Sequence, residues 1–200
     1  MSLTPANTAA ILLAAGAASR FGADKLSAPL RGARVIDHAA AALTASGCAH
    51  RAVIVNSENV ISGLPGFETV INPDAAKGLS TSIRIGVNWA EACGAKGVLI
   101  ALADMPFVDP DHYVRLFETA NANRNQCAFT AAGEKRSPPA IFSAGWFSQL
   151  RDLEGDQGAK HLLSTQPKAA GVSAQEKMLA DIDTSEDLIR FEKSASSVIS

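Results

Sequence analysis

Residues 11–26, ILLAAGAASRFGADKL, run from an unbroken apolar segment through small residues into a loop carrying Arg20 and Lys25. An apolar run without alternation is what a strand buried on both faces requires, and such strands belong to parallel α/β sheets. Three kinds of loop present glycines and cations directly after such a strand. A dinucleotide fingerprint needs G-x-G-x-x-G, but here only Gly16 is in place, with Ala18 and Phe21 at the other two positions. A phosphate loop of the Walker kind needs Gly-Lys-Ser/Thr, and this chain has Asp24-Lys25-Leu26. The third kind survives. Small residues after the strand let the backbone approach a base or ribose, while Arg20 and Lys25 reach a polyphosphate, one as a planar fork and the other as a point charge. On this stretch alone, a surface loop whose cations face water competes evenly with that reading.

The same alternation continues along the chain. Residues 9–15 read as the first strand, 35–46 as a helix closed by Gly47, 51–55 and 67–71 as strands on either side of a Gly-Leu-Pro-Gly turn, and 80–93 as a helix. Residues 97–103 form another continuous apolar strand, and 111–122 a helix entered through Asp109-Pro110. Short strands are expected at 126–131 and 139–142, and helices at 145–151, 158–164 and 184–193, the last capped by Thr184 or Asp183. Buried strands alternating with amphipathic helices predict a single-domain Rossmann-like α/β sandwich of three layers with a mostly parallel sheet. The domain is expected to span residues 1–193, with 194–200 a frayed tail. In such a sheet ligands lie beyond the carboxyl ends of the strands, which gathers the loops after Ala15, Ile71 and Ala103 around one crevice.

Composition narrows the function classes. A net charge of −2 with both signs scattered offers no basic face for a nucleic-acid backbone. Cys48, Cys93 and Cys127 have neither zinc nor dithiol spacing and read as buried reduced thiols, and His38, His50, His112 and His161 have no metal-site spacing. The N-terminus lacks a signal-peptide pattern and no apolar run is long enough for a membrane span. The expectation is a cytoplasmic protein acting on a small charged metabolite.

Four further segments accompany the opening one: NPDAAKGLSTSIRIGV (72–87), LADMP (102–106), PPAIFSAGWFSQLRDLEGDQGAKHLL (138–163) and DIDTSEDL (181–188). With L-A-A-G-x-x-x-R-F-G-x-x-K they resemble, in order and across nearly the whole chain, the MobA-like nucleotidyltransferases. The 138–163 segment looks like the cytidylyl branch. Two positions depart from that branch: Ala18 stands where it has Ser, and Pro138 stands where it has His before the proline, which bears on the acceptor.

The resemblance implies a fold of the nucleotide-diphospho-sugar transferase type and transfer of CMP from CTP, or of a related nucleotide, to a phosphorylated acceptor such as molybdopterin, with release of pyrophosphate. It implies Mg²⁺, with Mn²⁺ as a substitute, on Asp104 and Asp183, with Asp181 in reserve. Lys25 and Arg20 would hold the triphosphate and act in catalysis with Asp104. Leu13, Ala14, Ala15, Gly16, Asn72, Gly78, Ser80 and Ser82 would form the rest of the nucleotide side, and Asp156 and Gly158 the acceptor side. A molybdenum hydroxylase apoenzyme is the implied client.

Each residue also has a plain structural alternative. Asp104 and Asn72 suit turns, Asp183 and Asp156 suit helix caps, and Ser80 suits an N-cap. Trp146, Phe147 and Phe142 are most simply core. Competing functions are a guanylyltransferase, a sugar-phosphate or methylerythritol-phosphate cytidylyltransferase, and a non-catalytic carrier of molybdenum cofactor.

Overall fold

The computed structural model describes residues 1–15, 25–56, 63–167 and 170–196. The first strand, β1 (Thr8–Leu13), is buried along its whole length. Its side chains divide between two cores by the twofold period of a strand. Ala10, Leu12 and Ala14 belong to one core, and Ala9, Ile11 and Leu13 to the other. Each fully buried Leu or Ile in such a position contributes roughly 1.5–3 kcal/mol of hydrophobic stabilisation.

The short strands β2 (Pro29–Leu30) and β3 (Ala33–Arg34) form a separate hairpin, followed by helix α1 (Val35–Thr44). Then come β4 (His50–Val55), β5 (Glu68–Ile71), α2 (Leu79–Ala92), β6 (Gly97–Leu102) and α3 (Pro110–Ala122). The remainder comprises β7 (Cys127–Ala132), β8 (Lys135–Ser143), α4 (Phe147–Arg151), α5 (Ala159–Ser164), β9 (Gly171–Ser173) and α6 (Ser185–Ser196).

The main sheet has seven strands in the order β5-β4-β1-β6-β8-β7-β9. All its pairings are parallel except those that β8 makes with β6 and β7. Helices α1 and α3, joined by Phe191 of α6, cover one face, and α2, α4 and α5 cover the other. The three layers and the parallel bias are those expected from the sequence. Helix α2 lies close on β1 at Gly86, where a Cβ would come within 2.6 Å of Ile11 Cδ1.

The differences have local causes. Strand β8 begins at Lys135, four residues before the expected start, because Pro138 and Pro139 are accommodated at an irregularity in the ladder. The two-residue strands and the three-residue β9 are too short to leave a periodic signal. Helix α6 continues to Ser196, past the point where fraying was expected; residues 197–200 lie outside the described residues. Residues 180–184, around Asp181, form no sheet pairing. Cys48 and Cys127 are buried thiols, whereas Cys93 is only half-buried. No helix among the described residues is long and apolar enough to cross a membrane.

Candidate active site

The parallel strands deliver their following loops to one edge. Ala14 N–H donates to the Ile54 carbonyl, Ala103 N–H to that of Leu13, and Asn72 N–H to that of Val55. The ends of β1, β4, β5 and β6 are thus bound side by side, which brings the chain at Ala15, Ile71 and Ala103 to one edge as the sequence predicts; residues 16–24 lie outside the described residues. The Ile182 N–H donates to the Asp104 carbonyl and brings the 181–184 segment to the same place.

Three charged residues converge there. The Lys25 ammonium donates to Asp104 Oδ2 at 2.8 Å and to Asp183 Oδ1 at 2.9 Å. Lys25 and Asp104 are largely enclosed, with 15% and 24% of their side chains exposed, and Asp183 is half-open at 53%. Burial of the ammonium opposes its charge, but the charge and hydrogen bond of Asp104, aided by Asp183, prevail and raise the Lys25 pKa above its ordinary value. Lys25 therefore remains a cation at neutral pH.

The cap alternative for Asp183 is not what forms. Thr184 Oγ1 accepts from Asp187 N–H at 3.2 Å, and Asp187 Oδ2 accepts from Thr184 N–H at 2.9 Å, a reciprocal capping box. Asp183 contributes only its backbone N–H to Asp187. Its carboxylate is left for the cluster.

Beside this cluster opens a cleft of about 740 Å³. Leu13, Leu102, Met105 and Asp181, all close in sequence to the cluster residues, form part of its wall. Leu79, Ile83 and Ile100 extend the apolar surface, while Asp156, Gly158, Lys135, Lys160 and His161 supply polar groups. Asp156 is not a helix cap: the N-cap of α5 is Gly158, with no side-chain cap bond. His161, read from the sequence as surface or core, belongs to this wall. No motif spacing announces it; only its neighbour Lys160, in the G-D-Q-G-A-K segment, marks the region.

The nucleotide-side candidates divide. Asn72 is buried and fully engaged, donating to Thr81 Oγ1 and Ser82 Oγ at 2.9 Å each and accepting from Asp74 N–H at 3.0 Å. It ties the loop after β5 to the first turn of α2. Ser80 and Ser82 are buried in the same junction. Ser80 is not the N-cap, which is Gly78. Instead Ser80 N–H donates to the Gly155 carbonyl at 3.1 Å.

Gly78 has φ +112°, and a Cβ there would lie 2.3 Å from both C and O of Gly155. Only glycine satisfies both demands. The loop that enters α2 and the 154–158 loop are thereby packed backbone against backbone. Gly16 and Arg20 lie outside the described residues. Phe142 and Phe147 are core; Trp146 is half-buried, with its indole N–H donating to the Asn125 carbonyl at 2.8 Å. Among the described residues no group of three or more His, Cys, Asp or Glu side chains forms a metal cage.

A parallel sheet with two carboxylates and a cation at its carboxyl edge, beside a large cleft, is the arrangement of an enzyme that handles nucleoside phosphates. Residues 10–170 match the MobA-like NTP transferase domain, and the chain belongs to that family. It is 32% identical to the purine catabolism protein PucB of Bacillus subtilis, covering 90% of this chain and 94% of that protein. It is 29% identical to nicotine blue oxidoreductase of Paenarthrobacter nicotinovorans over 90% and 94% of the two chains. It is 28% identical to the molybdenum cofactor guanylyltransferase of Rhodobacter capsulatus over 92% and 94%. Among solved structures, a nucleotidyl transferase from Methanothermobacter thermautotroptrophicus superposes with a TM-score of 0.77 at 25% identity, covering 96% of this chain and 98% of that one. The chain is a nucleotidyltransferase of the MobA-like kind.

Proposed function

We propose that this nucleotidyltransferase is Mg²⁺-dependent and transfers CMP from CTP to molybdopterin, releasing pyrophosphate. The observation that carries the reading is the bridge from Lys25 to both Asp104 and Asp183, next to the Met105 and Asp181 wall of the cleft. Two carboxylates that already share one cation at hydrogen-bonding distance suit Mg²⁺, which takes one or two protein carboxylates and fills its shell with phosphate and water oxygens. Mn²⁺ suits the same oxygens. When bound, the metal supplies charge neutralisation on the triphosphate.

The remaining work falls to the chain. An acceptor phosphate oxygen attacks the α-phosphorus, the bond between the α-phosphorus and its bridging oxygen breaks, and pyrophosphate leaves with that electron pair. A phosphate monoester is already largely ionised at pH 7, so no general base is required. The barrier is repulsion between anions, and a positioned cation such as Lys25 lowers it most. Arg20 is assigned to the same triphosphate from its place in the opening motif. Leu13, Ala14 and Ala15 border the base and ribose, and Gly16 is assigned there from its place in the opening motif. Asn72, Ser80 and Ser82 act from behind, shaping the α2 entry that Gly78 begins.

Cytidine is favoured by Ala15, whose side chain is buried at the end of β1. A methyl group there leaves less room than glycine where the chain passes the base. The acceptor reading rests on the apolar wall of the cleft, suited to a flat ring system, and on Lys135 and Lys160 for its phosphate. The test is pyrophosphate release from CTP, GTP, UTP and ATP with Mg²⁺, with and without molybdopterin. CTP with molybdopterin should be the productive pair; equal use of GTP would replace the cytidylyl assignment with a broader one.

A further inference from the structure

The acceptor cleft has one wall whose position is set from the opposite side of the sheet. In the β7–β8 ladder Phe129 pairs with Ala140, but the next residue, Thr130, pairs with Ser137. Pro138 and Pro139 are thus two extra residues on β8. Neither has an N–H, so at this point the ladder loses its donors and cannot fix the strand by itself.

A side-chain chain of hydrogen bonds takes over. Thr130 Oγ1 lies 2.8 Å from the Pro139 carbonyl, and His112 Nε2 lies 2.8 Å from the same Oγ1. A carbonyl only accepts, so the single hydroxyl proton of Thr130 goes to Pro139 and the hydroxyl oxygen accepts from His112. Nε2 therefore carries the imidazole proton. Nδ1 is then the acceptor, and Arg115 Nη2 donates to it at 3.3 Å. His112 and Thr130 are both fully buried. Burying three linked polar groups is costly unless each is satisfied, and here each is. Ser137 and Pro138, immediately before the braced carbonyl, line the acceptor cleft.

We propose that His112 and Thr130 are positioning residues that fix the Ser137–Pro138 wall of the acceptor cleft, and so help decide which phosphorylated, ring-bearing acceptor fits. The acceptor part of this inference rests on the function proposed above. The brace acts through backbone placement and leaves the nucleotide side alone, since neither Lys25 nor Asp104 is part of it.

The test compares wild type with Thr130→Val, which keeps the shape and removes the hydroxyl, and with Thr130→Ser, which restores it. Hydrogen exchange read on the peptide spanning residues 135–143 reports the brace without reference to any substrate. Thr130→Val should exchange there about tenfold faster and raise the acceptor KM about tenfold, with the CTP KM within about twofold of wild type. Thr130→Ser should return both readouts towards wild type. Unchanged exchange overturns the brace. Faster exchange with an unaltered acceptor KM, or with both KM values rising together, overturns its role in acceptor fit. Use of a different nucleotide or acceptor by the wild type overturns only the cytidylyl reading, and the comparison is then made with the pair the enzyme does use.

Discussion

Lys25 touches both carboxylates, so its removal has two effects: it takes a cation from the incoming triphosphate and leaves Asp104 facing Asp183 without a counter-charge. Lys25→Ala should lower turnover by about 10²-fold or more, the loss typical of one preorganised charge-stabilising group. A kcat/KM near wild type would remove the opening loop from the mechanism. Asp104→Asn should abolish metal-dependent turnover. Asp183→Asn should weaken it while leaving the melting temperature unchanged, because the cap of α6 belongs to Thr184 and Asp187. A clear drop in melting temperature would return Asp183 to a structural role. At Ala15, replacement by glycine should narrow the preference for CTP over GTP by about tenfold without reversing it, since one methyl group discriminates by only 1–3 kcal/mol. Competition assays with both nucleotides measure this directly. The members of the Lys25–Asp104–Asp183 cluster were singled out through the family resemblance, since on the residues alone both aspartates suit turns or caps equally well; that the three side chains meet is visible only in the structure. Asn72 was only half legible: the resemblance put it on the nucleotide side and its residue type suited a turn, but its engagement with Thr81 and Ser82 depends on a fold of the loop that no spacing encodes.

Helix α2 shows how one element serves both halves of the site. Its first turn carries Ser80 and Ser82, and its exposed face carries Arg84, whose guanidinium donates to the carbonyls of Arg151 at 3.1 Å and Leu153 at 3.2 Å. Those carbonyls close α4 and lead into the 154–158 loop that borders the cleft. Arg84→Ala should raise the acceptor KM about fivefold, equivalent to about 1 kcal/mol, which is modest for a charge-assisted pair because the site is partly solvated. The nucleotide KM should stay near wild type, and Arg84→Lys, with a single ammonium for two carbonyls, should recover only part of the loss. A parallel rise in both KM values would show that Arg84 merely stabilises α2. Elements of this length were read correctly because burial leaves a period of 3.6 or an unbroken apolar run. The hairpin of β2 and β3, and β9, escaped because two or three residues show no period. Strand β8 was shortened in the reading because proline normally argues against an inner strand, and here the ladder bends to admit two.

At the scale of the whole molecule, the sequence predicted the layers, the parallel bias and the crevice at the carboxyl edge, but not the polar connections that cross from one layer to another. His112 is the clearest of these. Burial, and then the charge of Arg115, lower its pKa to about 4 against a weaker pull from Asp109. An unfolded imidazole titrates near 6.5, so between these values the unfolded chain binds more protons than the folded one. This contribution to stability is complete above about pH 6.5 and declines as the pH falls towards 4, by about 3 kcal/mol between pH 7 and 4. Urea titrations of His112→Gln should show a shallower loss over that range than wild type; identical slopes would mean that His112 is protonated within the fold. The apposition of Gly78 and Gly155 has a different reach. It joins a loop from the first half of the chain to one from the second at a spacing that admits no side chain on Gly78, whereas a Cβ on Gly155 would meet open space. The constraint runs one way: position 78 is held to glycine for as long as the later backbone lies against it, while side chains can be added to the later loop without meeting the earlier one there. Gly78→Ala should therefore melt at a markedly lower temperature than wild type, and Gly155→Asn, whose side chain tolerates a positive φ and meets open space, should lose much less; the reverse order would move the constraint to the later loop.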